Sequence, residues 1–415
     1  MSVPKLRFKE FDDEWENACL VDLSIDKSLN NGVFNDQNKV GKGYKLINVL
    51  DMYIERDIDE NRLSLLDLEK KEFERNQVKF GDIFFTRSSL VKEGIAFSNV
   101  YLGNSNDITY DGHLIKLSPD LNTINPIFLN YVLKTGQVRK QLIQGGKTAT
   151  MTTIGQKEVG SSKVDFPSKS EQTKIASFLS AVDEKISQLN QKHELLSQYK
   201  QGMMQKLFSQ QIRFKADDGS EFGEWEEKIL KDLFPKIRNG FVGVATPYYV
   251  DYGVKYLQGK NIKNGKIDDK GLIYINQEFH QKKTNSILKT NDILMVQSGH
   301  VGECSVVTED YDNANCHALL VLSPKSSKLI KSKFVVYYFY SEIGKKKITL
   351  IKTGNTIEHI LASDIKEVSL LFPCIEEQTK IANFLSSIDQ KIEVVAQQIE
   401  QAKQWKKGLL QQMFV

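Results

Sequence analysis

Four short polar stretches gather the side chains best suited to meeting a nucleic acid. Arg87-Ser88-Ser89 with Lys92 follows a strand-like run at 81–86, and Gln297-Ser298-Gly299-His300 follows a corresponding run at 291–296. An arginine fork can address guanine edges with two bonds, glutamine can do the same for adenine, and small Ser and Gly let the backbone come close. The second pair of stretches, 145–150 and 352–356, carries Lys147 and Thr148 in one and Lys352, Asn355 and Thr356 in the other. Their N–H, hydroxyl and ammonium groups suit phosphate oxygens. For any single residue the competing reading is an exposed turn without a ligand, so the expectation rests on the loops and not on one side chain.

Other chemistry is poorly supported by spacing. Gly146-Lys147-Thr148 resembles the tail of a phosphate loop, but Gln141 stands where the leading glycine is required, and a surface turn is expected instead. Asn125-Pro126-Ile127-Phe128 lacks the second proline of the Asn-Pro-Pro-aromatic tetrapeptide of aminomethyltransferases and reads as the start of a helix. His300, Cys304, Cys316 and His317 lack the paired spacing of a structural zinc site, so no metal is expected. Asp183-Glu184-Lys185 falls off an apolar stripe and reads as a solvated helix face.

The elements that would position these stretches are written twice. Residues 171–209 return as 377–415 at a shift of 206: Glu171-Gln172-Thr173-Lys174-Ile175-Ala176 becomes Glu377-Gln378-Thr379-Lys380-Ile381-Ala382. Ile175, Leu179, Val182, Ile186, Leu189, Leu196, Met203 and Leu207 fall on alternating steps of four and three. So do Ile381, Leu385, Ile388, Ile392, Val395, Ile399, Ala402, Leu409 and Met413, with Lys200 and Lys406 in matching polar slots. A 3.5-residue period sustained without proline predicts two long helices paired along one seam, each about 58 Å for roughly 39 residues. Fainter echoes precede each helix: Leu6-Arg7-Phe8-Lys9 and Ile212-Arg213-Phe214-Lys215, Asp82-Ile83 and Asp292-Ile293, Phe166-Pro167 and Phe372-Pro373. The order is globule, rod, globule, rod, with boundaries placed at 1–166, 167–210, 211–372 and 373–415.

Within each globule, short β-rich runs at 83–86, 113–117, 272–275 and 318–322 alternate with turn residues, and one helix each is expected at 126–133 and 333–340. The fold class is α+β: two mixed globules and two long helices in an antiparallel coiled coil with a pseudo-two-fold internal repeat. Among 415 residues, 56 basic against 53 acidic give a net charge of +3, so any polyanion surface must come from local clustering. The N-terminal stretch has no apolar signal core and no run reaches a membrane span, which predicts a cytoplasmic protein without a membrane partner. The four cysteines show no paired spacing and read as reduced thiols.

The rods stay nearly identical while the globules have drifted. Two like surfaces suit two copies of one partner, and two unlike globules suit two different ligands. The repeated pattern of Pro followed by Glu-Gln-x-x-Ile-Ala-x-Phe-Leu-x-x-x-Asp, at Pro167 to Asp183 and Pro373 to Asp389, resembles the specificity (S) subunit of type I restriction-modification systems. The resemblance spans essentially the whole chain. It implies two target recognition domains on double-stranded DNA, reading a bipartite asymmetric site, with no catalysis by this chain. It also implies two methyltransferase (M) subunits that methylate adenine with S-adenosylmethionine, and restriction (R) subunits that use ATP and Mg²⁺. The alternative is a stand-alone pseudo-dimeric DNA-binding regulator. On the first reading the rods act as a ruler between half-sites.

Overall fold

A computed structural model of the chain describes residues 4–34, 39–54, 56–354 and 358–414. They form two compact units, residues 1–190 with 397–415, and residues 191–396. Each unit is α+β, and the two follow one plan.

In the first unit, Ile83–Thr86 is buried at every position and lies between Leu114–Pro119 and Ser98–Val100 in an antiparallel sheet completed by Ser24–Asn31. In the second, Ile293–Val296 is likewise buried throughout. It lies between Leu319–Ser323 and Cys304–Val306, with Lys236–Asn239 at the edge. Unbroken apolar runs are what strands covered on both faces require. The recurrent Asp before each strand is a turn-former: Asp82 accepts the Lys79 N–H at 2.8 Å and Asp292 the Lys289 N–H at 3.1 Å.

Asn125 caps the helix Pro126–Val132 by accepting from the N–H groups of Ile127 and Phe128, so the Asn-Pro pair does open a helix. Ser332–Tyr340 is its counterpart. A second helix follows each at once, Gly136–Gly145 and Glu342–Leu350, beyond the single helix expected per globule.

The long helices run from Lys169–Phe208 and Ile375–Met413, 40 and 39 residues, or about 60 Å each. Pro167 and Pro373 each stand two residues before a helix start, and Gln210, at φ 58°, closes the first helix in the left-handed region. In the first unit Arg7 bonds Glu171 while neighbouring Leu6 donates its N–H to Gln412 O at 2.9 Å; further along, Asp183 meets Lys406. Numbers rise on one helix as they fall on the other, so the helices are antiparallel there. The second unit repeats this: Ile212 reaches back to Lys206, adjacent Arg213 bonds Glu377, and Lys200 meets Asp389.

Ile175, Leu179, Val182, Ile186, Leu189, Ile381, Leu385, Ile388 and Val395 are buried, whereas Leu196, Ile392 and Ile399 are half-buried. The stripe serves more than helix pairing. Ile175 through Ile186 share one core with Phe128, Leu129 and Phe166 of the globule, with Leu409 and Met413 of the second long helix, and with Phe414 just beyond its end. Ile381, Leu385 and Ile388 do the same with Phe334, Phe372, Leu207 and Phe208. Among the described residues no helix is long and apolar enough to cross a membrane.

Candidate nucleic-acid interface

The repeated Glu-Gln pairs are fasteners buried at the root of each globule. Glu171 takes two bonds from Arg7, at 2.8 and 2.7 Å; Glu377 takes two from Arg213, at 3.1 and 2.7 Å. Hydrogen bonding to the carboxylate holds both guanidinium pKa values above the ordinary range, against the opposing effect of burial. Gln172 donates to Pro167 O and accepts from Asn125 N, and Gln378 donates to Pro373 O and accepts from Lys331 N.

Asp183 is not on a solvated face, as the stripe alone implied. It accepts from Tyr131 OH at 2.6 Å and pairs with Lys406 at 2.5 Å, and Lys406 also lies over the Tyr131 ring. Asp389, Tyr337 and Lys200 repeat this cluster in the second unit. The polar slots in the stripe are therefore filled by cations that meet these aspartates. The expected reading failed because the partners come from distant segments, which helical phase cannot show.

The structure joins the candidate stretches pairwise. In the first unit Ser88–Ser89, Thr152–Thr153 and Lys147–Thr148 form a three-stranded antiparallel sheet, so 87–92 and 145–150 make one surface. Lys147 and Thr148 lie in a strand and not in the surface turn expected. The register sets Lys147 opposite Thr153 and Thr153 opposite Ser88. Ile154 N donates to Arg87 O at 3.0 Å. The second unit has the same frame: Ser298 opposes His359, which opposes Thr353, and Ile360 N donates to Gln297 O at 2.9 Å. Thr152, Thr153 and His359 were not singled out from the sequence; the available signal was that Thr153-Ile154 and His359-Ile360 stand 206 apart, the same shift as the helices.

Arg87, Lys92, Lys147 and Thr148 are exposed, and Ser88 and Ser89 half-buried; Ser298 and His300 are exposed, and Gln297 and Lys352 half-buried. Asn355 and Thr356 lie outside the described residues. Arg139 fixes the base of the Lys92 loop by donating to the carbonyls of Glu93, Ile95 and Ala96 at 2.9, 2.6 and 2.6 Å. Lys147 lies 3.4 Å from Glu158, whose carboxyl is held below its usual range by backbone N–H bonding first and by Lys147 as well. Lys352 pairs with Glu358 at 2.8 Å. Each surface thus offers donors and acceptors on a rigid main-chain frame.

Cys304 and Cys316 are buried, and burial pushes both thiols up, Cys316 to about 12, opposite to what a metal thiolate requires. Among the described residues no group of three or more His, Cys, Asp or Glu is placed to hold a metal.

Residues 12–198 and 223–404 match the family profile described as "Type I restriction modification DNA specificity domain". A candidate type I restriction enzyme specificity subunit, MjaX, of Methanocaldococcus jannaschii is 28% identical over 98% of this chain and 94% of its own length. The type I restriction enzyme MjaVIII specificity subunit of the same organism is 26% identical over 77% of this chain and 76% of its length. The crystal structure of a type I restriction-modification S subunit from M. genitalium superposes with a TM-score of 0.61 at 15% identity, covering 100% of this chain and 99% of that one.

Proposed function

Because the chain belongs to the family of type I restriction-modification DNA specificity proteins, we propose that it selects a bipartite, asymmetric sequence in double-stranded DNA and performs no chemistry itself. One observation carries this reading: each unit builds the same small main-chain frame and presents different side chains from it. One frame read twice with unlike side chains suits two unlike half-sites. Phosphate contacts from Arg87 and Lys92 would supply affinity, and base-edge contacts the choice of sequence.

The partners are two M subunits and the R subunits. Methyl transfer to adenine from S-adenosylmethionine and ATP- and Mg²⁺-dependent cleavage belong to them, in the cytoplasm. Flipping the target adenine out of the stack is likewise the M subunit's task. Tyr199 and Trp405 stand 206 positions apart and are 50% and 54% exposed, so each unit offers an aromatic ring at the same helical place. Twofold repetition of that surface supports two copies of one partner.

Co-expression with an M subunit, followed by mass measurement and binding to a randomised duplex library, tests the reading. The expected result is a complex of two M with one S that selects one interrupted sequence. A chain that stays alone and selects the same sequence unaided would instead be a regulator.

A further inference from the structure

Residues directly opposite one another in an antiparallel sheet project from the same face, and neighbouring strands lie about 4.8 Å apart. In the first unit this puts Ser88, Thr153 and Lys147 in one row across the sheet, and in the second it puts Ser298, His359 and Thr353 in the equivalent row. The adjacent residues of the first frame face the other way: Thr152 is 1% exposed, and its hydroxyl meets that of Thr148 at 2.9 Å. The row itself faces outward. Thr153, Lys147, Ser298, His359 and Thr353 are all exposed, and Ser88 is half-buried.

The frame holding each row is made of main-chain bonds. Thr353 N donates to His359 O at 2.9 Å and His359 N to Thr353 O at 2.8 Å, while the His359 imidazole has no hydrogen-bond partner among the described residues. One member of the row is shared, Ser88 with Ser298. The other two change, from Thr153 to His359 and from Lys147 to Thr353.

We infer that these in-register rows are the specificity-determining side chains of the two units, with the middle position, Thr153 and His359, reading a base edge in each half-site. The inference rests on the DNA-reading function proposed above. A row of three spans about 10 Å, which along the major groove matches roughly three base pairs at 3.4 Å each. The first row sets two hydroxyls beside an ammonium, a combination that suits guanine O6 and N7 at the lysine. The second sets an imidazole between two hydroxyls, with one ring nitrogen to donate and one to accept. The central strand thus does the reading, and the flanking loops that carry Arg87, Lys92 and His300 hold the duplex against it.

The test uses the full chain assembled with its M partner, methylating a library in which both half-sites are randomised. His359→Ala should relax preference at one base pair of one half-site by roughly ten-fold or more, leave the other half-site unchanged and leave the melting temperature unchanged. Thr153→Ala should do the same in the opposite half-site, and Lys147→Thr combined with Thr153→His should alter the bases chosen there. A uniform loss of methylation across all sequences, or unchanged selection at both half-sites, overturns the inference. If the wild-type complex shows no interrupted preference, the DNA-reading function fails first, and the variants are not needed to see it.

Discussion

Lys134 is a half-buried amine in the first unit, close to Lys406 and Asp183, and its pKa falls from 10.5 to about 8. Burial is the main cause, Lys406 adds repulsion, and Asp183 partly offsets both. The folded protein therefore releases a proton near pH 8 that the unfolded chain keeps to about pH 10.5. Between those values the unfolded state binds more protons, so stability rises with pH, and below pH 8 the folded protein bears the cost of a buried charge. A pKa lowered by one corresponds to about 1.4 kcal/mol. Lys134→Met should accordingly stabilise the protein by about 1–3 kcal/mol at pH 7, with the gain shrinking towards pH 10. Urea unfolding at the two pH values checks this, and an equal gain at both would remove charge burial as the cause. Tyr340 occupies the matching place in the second unit, where its hydroxyl meets Glu303 at 2.8 Å and Cys304 N at 3.1 Å, so the corresponding cost is absent there.

At the scale of elements, the long helices were readable because their periodicity is local and appears twice; Lys169–Phe208 and Ile375–Met413 start within a few residues of the expected points. The strands Ile83–Thr86 and Leu319–Ser323 were readable for a similar reason, as continuous apolar runs between turn residues. The paired roles of Glu171, Gln172 and Asp183 were not, since Arg7, Asn125, Tyr131 and Lys406 reach them across long sequence separations. The small sheets escaped for another reason: two-residue strands such as Thr152–Thr153 carry no periodicity, and only tertiary pairing defines them. If the long helices set the distance between half-sites, inserting four residues into one of them adds about 6 Å. The separation should then grow by about one or two base pairs, with the bases of each half-site unaltered. Methylation mapping of the insertion variant checks this, and an unchanged separation would refute the ruler.

The whole molecule is one plan executed twice with different outer surfaces. Both units share the Arg–Glu fastener, the Gln bridge and the Tyr–Asp–Lys cluster. Their recognition rows differ at two positions of three. Such a molecule should be modular. Replacing residues 1–165 with the equivalent segment of another family member should change one half-site and spare the other, as read by methylation mapping; changes in both would show that the halves do not act separately. The loop after the buried central strand marks a further difference. In the first unit it runs from Arg87 to Ala96, where φ is 49°, and in the second from Gln297 to Gly302, where φ is 94°. It is four residues longer in the first unit and exposes Leu90 and Val91.

The recognition rows hang from amide and carbonyl groups, which every amino acid except proline supplies in full. Mutation there can rewrite the outward-facing letters while leaving the hinge-points of the architecture untouched. A lineage carrying this chain could therefore acquire a new target by a handful of point changes.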